Sequence, residues 1–235
     1  MNASSPTPRI ASRTDWLAER MALLAEEKAL DRARDAVSAK RRALPLVEVD
    51  KPYRFDTETG PASLLDLFAG RRQLIVYHFM FGMDYAQGCP SCSFWADTFN
   101  GTLAHLAAQD TAFTLVSKAP LDRLLAYRTR MGWTLPWASA GNSGFNEDFC
   151  VSFTEGTPGG SYNYAPRTSK NAEYPGLSTF LRQGTQVLHG YSTYARGLDR
   201  LNGTYHLLDS TPLGRQEQGL PWPQAWIRRH DSYPT

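Results

Sequence analysis

Two cysteines separated by two residues, Cys89 and Cys92 in the run Cys-Pro-Ser-Cys, have the clearest capacity for chemistry in this chain. They lie between a run of strand-forming residues and a predicted helix, so Cys89 would cap the helix and Pro90 would take its first position. Free backbone N–H groups and the positive end of the helix dipole favour a thiolate at Cys89. The spacing lets Cys92 reach back and close a disulfide. We therefore predict Cys89 as the nucleophile and Cys92 as the resolving thiol.

The same thiols could instead bind a metal ion. A structural zinc site takes four ligands, and the sequence contains one further cysteine, Cys150. A Cu(I)- or Zn(II)-binding module would therefore use Cys150, or a histidine distant in sequence, together with Cys89 and Cys92. The candidate histidines are His189, His206 and His230. We expect no cofactor, with copper as the alternative.

Three further residues are predicted to contact a substrate, each with a structural alternative. Tyr85 lies in the loop before Cys89, where it could touch substrate or cover the core. Trp95 follows the dithiol by one helical turn and could shield a mixed disulfide or pack in the core. Arg196 could hold a thiolate or an anionic substrate, or form a surface ion pair. Cys150 is expected to be a small buried side chain, or a third thiol that joins the pair.

Composition limits the other functional classes. The net charge is +2 and charged residues make up 20% of the chain, so no strong basic field is available to hold nucleic acid or an anionic membrane. The longest apolar run, residues 74–83, is half the roughly twenty residues that a membrane-spanning helix needs. The polar N-terminus lacks the apolar core of a signal peptide, and three cysteines do not make a disulfide framework. We expect a soluble cytoplasmic protein.

The sequence divides into an N-terminal arm, residues 1–45, and a domain, residues 46–235. The arm begins with a disordered start, residues 1–11, and continues as a long helix to about Arg42. Ser12 and Asp15 form the capping-box-like start of this helix. We expect the arm to pack on the domain or on a second subunit, so a homodimer through the arm is one prediction.

The domain reads as alternating strands and helices, which predicts a βαβ unit with a parallel sheet. A long irregular insertion, residues 134–175, follows, and its segment 157–164 is a candidate lid over the dithiol, with a dimer contact or plain surface as alternatives. The C-terminal residues from 205 are expected to wrap around the surface. The predicted elements are an early hairpin (47–58), a short helix (62–68), a central strand (73–81), a helix (93–109), a strand (112–117), a helix (121–131), a late hairpin (177–191) and a last helix (193–201).

This order of elements, with Cys-x-x-Cys at a helix start, resembles the thioredoxin superfamily, and the early hairpin resembles its peroxiredoxin-like branch. Several segments are similar to an uncharacterised bacterial family, a domain of unknown function with a thioredoxin-like fold. The resemblance covers residues 15 to 233 and implies an α/β, thioredoxin-like three-layer sandwich with a mixed central sheet. The similar segments are 41–45, 77–82, 89–93, 130–133, 191–197 and 208–212.

The resemblance implies the fold and leaves the reaction open. The chemistry of Cys89 and Cys92 predicts a thiol–disulfide oxidoreductase that acts on a disulfide-containing protein or small molecule and is restored by an external thiol reductant. Thioredoxins place a cis-proline opposite the dithiol. The matching position here falls near Ser178, a fourth predicted substrate contact, and Pro175 lies a few residues earlier. Gly82 and Ala86 occupy the positions with which peroxiredoxins activate peroxide, so efficient peroxide reduction by that mechanism is not expected. The alternative is a biosynthetic or detoxifying enzyme that uses the same thiols on a specific small molecule.

Overall fold

The computed structural model describes residues 9–154 and 159–234 as an α/β fold. The predicted disordered start falls mainly on residues 1–8, which lie outside the described residues, as do Thr157 and Pro158 of the candidate lid. Within the described ranges, no helix is both long and apolar enough to cross a membrane.

Six α-helices and ten strands are described, together with three 3-10 segments. The helices are α1 (Arg13–Arg42), α2 (Pro90–Phe99), α3 (Leu103–Ala108), α4 (Leu121–Arg130), α5 (Phe145–Asp148) and α6 (Gly203–Asp209). The strands are β1 (Val47–Glu48), β2 (Arg54–Thr57), β3 (Gly60–Ser63), β4 (Gln73–His78), β5 (Thr111–Ser117), β6 (Trp137–Ser139), β7 (Ser161–Tyr162), β8 (Ala165–Pro166), β9 (Gly176–Gln183) and β10 (Gln186–Tyr194). The 3-10 segments are Asp66–Phe68, Ala195–Leu201 and His230–Ser232.

The central sheet has the strand order β1-β10-β9-β4-β5-β6-β2-β3. Strands β4 and β5 run parallel, with Ile75 opposite Phe113, and α2 and α3 connect them. Strand β9 is antiparallel to β4 and β10 is antiparallel to β9, so the late hairpin forms as predicted. A βαβ unit followed by an antiparallel hairpin on the same central strand is the thioredoxin-like core, and the predicted fold class is confirmed.

The early hairpin predicted for residues 47–58 is wrong. Strand β1 pairs with β10 at one edge of the sheet, whereas β2 pairs with β3 and touches β6 at the opposite edge. Alternating apolar residues predict that a strand forms but not which strand it pairs with, because the partner is set by packing across the whole sheet. The helix predicted for 62–68 is likewise replaced by β3 and one 3-10 turn, in which Asp66 accepts hydrogen bonds from the backbone and hydroxyl of Ser63 (2.8 and 2.7 Å).

The region predicted as irregular begins with a buried strand. All three residues of β6 are buried, and Trp137 lies opposite Leu115 in a parallel pair with β5. A strand of three residues is too short to show a period in the sequence. The helix predicted for 93–109 is also divided into α2 and α3, with a turn at Gly101 in which the Thr102 hydroxyl donates to the Phe99 carbonyl (2.8 Å).

Hydrophobic residues form one cluster on each face of the sheet. Because successive residues of a strand point to opposite faces, Tyr77 belongs to one cluster and Val76 to the other. We call the first the dithiol-face cluster; it includes Tyr77, Phe79, Cys92, Trp95, Phe99 and Tyr127. We call the second the opposite-face cluster; it includes Phe55, Leu74, Val76, Phe145 and Phe180. Helices α2, α3 and α4 cover the first face, and short α5 with residues 53–68 covers the second.

The predicted helical arm is a single helix of 30 residues, α1. Its start is as predicted, since the Ser12 hydroxyl accepts a hydrogen bond from the Asp15 amide (3.1 Å). None of its residues is buried, and it meets the domain near its C-terminal end, where the Arg41 guanidinium lies 5.0 Å from the Tyr191 ring centre. At 1.5 Å per residue the helix is about 45 Å long, and its part from Leu30 to Arg41 lines a groove with Arg200 and His206 of the domain.

Candidate functional site

The dithiol lies at the start of α2, which follows β4 along the chain after a loop of residues 79–88. Cys89 is the N-cap of the helix, with extended backbone angles, and Pro90 is its first residue, as predicted. The Cys89 amide donates to the Met80 carbonyl (3.1 Å), which holds the helix start against the end of the strand. Gly88 is required just before it, because a Cβ atom there would lie 2.8 Å from the Phe79 ring and 2.9 Å from the Tyr127 ring. Aromatic packing therefore fixes the backbone that presents Cys89.

The two thiols have different electrostatic environments. Cys89 is half-buried and Cys92 is 1% exposed, and both are free thiols. A hydrogen bond from the Cys92 thiol is the main cause that lowers the pKa of Cys89 to about 7, and the Cys92 and Ser91 N–H groups act in the same direction against burial. Burial raises the pKa of Cys92 well above its usual range, although the Met80 amide donates to its sulfur (3.4 Å). A thiolate on Cys89 and a proton on Cys92 are what a nucleophile and a resolving thiol require.

The C-terminal residues tie down the peptide before Cys89. The Arg229 guanidinium donates to the Gly88 carbonyl (2.6 Å) and to the Tyr127 hydroxyl (2.9 Å). Tyr127 also shares a hydrogen bond with Ser93 (2.8 Å), whose hydroxyl donates to the Cys89 carbonyl (2.9 Å). The C-terminal segment that was predicted to wrap around the surface thus contacts the peptide before α2. Through Tyr127 and Ser93 it is also linked to the first turn of this helix.

A cavity of about 280 Å³ lies behind Cys92. The 3-10 segment 195–201, the loop before β9 and residues of the insertion enclose it. Three aromatic rings supply most of its apolar wall, and charged side chains lie at its rim. Its lining residues are Tyr77, Ser91, Cys92, Trp95, Tyr162, Pro175, Ala195, Arg196, Leu198, Asp199 and Gln224.

The two tyrosines of the cavity differ in how their hydroxyls are bonded. Tyr162 Oη donates to the Pro175 carbonyl (2.8 Å) and accepts from the Ala195 amide (3.0 Å). The Tyr77 hydroxyl is fully buried and has no hydrogen-bond partner of normal geometry among the described residues. Burial raises the pKa of Tyr77 well above its usual range, and the neighbouring Cys92 thiol raises it further. A buried hydroxyl donor therefore lies beside the Cys92 thiol in the wall of the cavity.

Two of the predicted substrate contacts, Trp95 and Arg196, line this cavity. The Trp95 indole N–H donates to the Leu198 carbonyl (2.9 Å), and the ring is buried, so it is also a core residue. The Arg196 side chain is 87% exposed and forms an ion pair with Asp199 (3.3 Å) three residues along. The structure thus brings both residues to the dithiol and also bears out their structural alternatives.

The other two predicted contacts, Tyr85 and Ser178, are not among the lining residues. Tyr85 packs on the dithiol-face cluster, with its ring against Gly82 in the loop before Cys89. Ser178 is fully buried and faces the opposite-face cluster, because alternation along β9 directs its neighbour Leu177 to the dithiol face instead. The hairpin forms as predicted, but its register turns Ser178 away from Cys89 and Cys92.

Cys150 lies apart from the dithiol. It is half-buried, adopts a positive φ of 56° after α5, and has its pKa raised by burial and by Asp148. In the part of the chain that the structure describes, no three Cys, His, Asp or Glu side chains form a group that could hold a metal ion. The candidate histidines have other partners: His189 bonds to Ser192 (2.8 Å), His206 to the Arg200 carbonyl (3.0 Å) and His230 to Asp97 (2.7 Å).

Sequence reasoning missed Tyr77, Tyr162 and Arg229. Tyr77 was detectable, because it lies two residues before Phe79 on the same face of a strand that leads to the cysteines. Tyr162 belongs to the candidate lid, but nothing in its neighbourhood points to Cys92. Arg229 reaches Gly88 across 141 residues of chain, a contact that only the tertiary fold creates.

Comparisons with known proteins agree with the family resemblance. Similar solved structures include a peroxidoxin from Mycobacterium tuberculosis (14% identity, 71% of this chain and 99% of that one, TM-score 0.45) and peroxiredoxin Q from Xanthomonas campestris (14%, 72% and 98%, 0.48). A mitochondrial 2-Cys peroxiredoxin from Plasmodium falciparum is also similar (12%, 71% and 94%, 0.42). No curated protein matches the chain. The family model "Bacterial protein of unknown function (DUF899)" matches residues 5–233, so the chain belongs to this bacterial family.

Proposed function

We propose that this protein is a thiol–disulfide oxidoreductase whose reacting groups are Cys89 and Cys92. The observation that carries the proposal is the unequal protonation of the pair, with the pKa of Cys89 lowered by its contact with Cys92 and that of Cys92 raised by burial. A nucleophilic thiolate near neutral pH beside a protonated thiol is the arrangement that disulfide exchange needs.

The reaction proceeds in two exchanges. The Cys89 thiolate attacks one sulfur of the substrate disulfide, the substrate S–S bond breaks, and one half leaves as a thiolate. Cys92 then loses its proton and attacks the Cys89 sulfur, which releases the second half and forms the Cys89–Cys92 disulfide. An external thiol reductant returns two electrons and two protons to the pair, and we place the cycle in a reducing compartment, the cytoplasm.

Disulfide reduction by purified protein with a dithiol reductant tests the proposal. Cys89→Ser should lower turnover of insulin or of a small disulfide at least about a thousand-fold, and Cys92→Ser should accumulate a mixed disulfide on Cys89 that intact-mass measurement detects. Cys150→Ser is the matched control and should retain turnover. Unchanged turnover in the Cys89 and Cys92 variants would rule the proposal out.

We also propose that the pair works without a resident metal. Protein purified under reducing conditions should then contain less than about one tenth of an equivalent of copper or zinc by elemental analysis. One equivalent that is lost in the Cys89→Ser variant would instead favour the metal-binding module.

A homodimer through α1 is the second part of the proposal. Large apolar side chains recur every seven residues along its surface, and each is about half exposed: Trp16, Leu23, Leu30 and Val37. Beside the C-terminal end of the arm lies a groove of about 730 Å³ with apolar residues such as Leu44, Leu46, Ile75 and Leu177 in its walls. In a dimer, the apolar stripe on the arm of one copy would pack into this groove of the other copy.

Light scattering coupled to gel filtration measures the mass that this proposal predicts. The wild-type chain should elute as a dimer, and the double variant Trp16→Glu/Leu23→Glu should elute as a monomer. Leu213→Glu, which replaces an exposed leucine outside the arm, should leave the mass unchanged. A monomeric wild type would contradict the dimer and leave the redox proposal standing.

A further inference from the structure

We propose that the cavity behind Cys92 binds one half of a small organic disulfide, a half with a compact, flat apolar group that carries a hydrogen-bond acceptor. This half stays linked to Cys89 in the mixed disulfide until Cys92 releases it. The inference rests on the thiol–disulfide reaction proposed above and names the substrate class of the same site.

The size and walls of the cavity select a small flat group. At about 280 Å³ it lies just below the range for small-molecule sites, roughly 300–1,000 Å³, so a folded protein segment has no room in it. The rings of Tyr77, Trp95 and Tyr162 form its sides, and aromatic walls of this kind favour a planar apolar group by stacking and edge contacts. Because Cys92 forms part of the wall, whatever occupies the cavity touches the resolving thiol.

The Tyr77 hydroxyl supplies the polar requirement. Buried tyrosine hydroxyls almost always have a hydrogen-bond partner. This one has none of normal geometry within the described residues and instead lies beside the Cys92 thiol, whose sulfur is a weak acceptor. Tyr77 is one of the residues that line the cavity, and its side chain is fully buried. A small adjustment of the wall would bring its hydroxyl to an acceptor on an occupant. An acceptor on the bound group would satisfy the donor and orient the substrate sulfur toward the thiols.

The mouth of the cavity favours a negative charge at the outer end of the same group. Arg196, Asp199 and Gln224 line the cavity and also a second depression of about 210 Å³ that extends to Trp222, so the two adjoin at these residues. The Arg196 side chain is 87% exposed, and its ion-pair partner Asp199 (3.3 Å) also pairs with Arg215 (3.4 Å). An ion pair with so exposed a partner contributes little. The Arg196 guanidinium can therefore turn to a carboxylate on a substrate without a large loss.

The reaction balances with the reductant named above. Cys89 thiolate plus R–S–S–R gives the Cys89–S–S–R mixed disulfide and one RS⁻, with R in the cavity. Cys92 thiol then gives the Cys89–Cys92 disulfide, a second RS⁻ and one proton. A dithiol reductant then reduces the Cys89–Cys92 disulfide to two thiols and is itself oxidised to a disulfide.

The test compares two small disulfides, dithiobis(nitrobenzoate), which is flat, aromatic and anionic, and bis(hydroxyethyl) disulfide, which is neither aromatic nor charged. Tyr77→Phe removes only the buried hydroxyl. It should lower the ratio of the two kcat/KM values, aromatic over hydroxyethyl, about ten-fold, which is the scale for a lost hydrogen bond in a closed site. Ala195→Phe, which fills the cavity, should lower the same ratio by a similar or larger factor. Tyr53→Phe alters a buried tyrosine of the opposite-face cluster and should leave the ratio unchanged.

The outcomes separate this inference from the proposed function. If wild-type protein reduces neither disulfide, the redox function itself fails. If it reduces both and the ratio is the same in wild type, Tyr77→Phe and Ala195→Phe, the redox function stands and the cavity proposal is overturned. A Tyr77→Phe protein with wild-type thermal unfolding and a lowered ratio supports the cavity as the site of the aromatic half.

Discussion

Tyr77 and His78 are consecutive residues of β4, and they show how differently the two faces of the sheet are built. Both side chains are fully buried. On the opposite face, His78 Nε2 forms a hydrogen bond with the Ser178 hydroxyl (2.9 Å). That hydroxyl forms another with Ser192 (2.8 Å), and Ser192 forms a third with His189 (2.8 Å). On the dithiol face, Tyr77 is one of the residues that line a cavity, and its hydroxyl lies beside the Cys92 thiol instead of in such a chain of hydroxyl and imidazole groups.

The difference teaches that burial alone does not mark a functional group. His78 stacks on Phe145 and Phe149 with ring centres 5.6 and 5.7 Å away, and burial lowers its pKa to about 3. A neutral, tightly packed histidine contributes to stability, with Nε2 on the Ser178 hydroxyl and the Asn146 side chain beside the ring. The dithiol face instead combines a cavity, a tyrosine hydroxyl beside the Cys92 sulfur and two thiols of different pKa, which are what a reacting molecule can use. Three experiments can break or sharpen this comparison.

Phe145→Ala should have the largest effect on stability. The ring contacts Phe55 and Phe149 with centres 5.0 and 4.6 Å away in the opposite-face cluster, and its removal should leave a cavity. We expect the free energy of unfolding to fall by about 3–5 kcal/mol, measured by urea titration. The rate of Cys89 alkylation, followed by peptide mass spectrometry, should not change. A loss below about 1 kcal/mol, or a changed alkylation rate, would show that the two faces are not independent.

We expect the burial of His78 to lower the free energy of unfolding as the pH falls. An unfolded histidine binds a proton near pH 6.5, whereas burial keeps His78 neutral down to about pH 3. Since its folded pKa is depressed, its contribution is complete above pH 6.5 and is lost as pH falls toward 3. Between pH 7 and pH 5 wild type should lose about 2 kcal/mol through this residue, and His78→Gln should lose that much less. The exposed His206→Gln serves as control and should behave as wild type does.

Cys92→Ala should have the smallest effect, a change in the titration of Cys89. The Cys92 thiol is the main cause that lowers the pKa of Cys89 to about 7. Without it, the alkylation rate of Cys89 should reach half its maximum about one pH unit higher. Thr98→Ala, further along α2, should leave the profile in place. An unchanged profile in Cys92→Ala would mean that the helix N-terminus, and not the second thiol, activates Cys89.

The sequence was sufficient for much of the site because the relevant contacts are local. Cys89, Pro90 and Cys92 stand within one turn, so capping preferences and the reach of a two-residue spacing placed them correctly at the start of α2. The long helix from Ser12 followed from its capping residues in the same way. Ser178 was also correctly placed in a hairpin strand, but pleat direction depends on register, and register turned it to the other face.

What the sequence by itself determined is therefore the Cys-x-x-Cys pair, its helix, the βαβ unit and the late hairpin, since these follow from local propensity and periodicity. The mixed sheet that combines them was implied by the family resemblance. Tertiary structure alone decided which edges β1 and β2 occupy, and that Trp137 starts a core strand. It also decided that residues as distant as Tyr77, Tyr162 and Leu198 enclose one cavity at Cys92. The physical reason is that packing across the sheet joins segments far apart in the chain, and no local pattern encodes which segments meet.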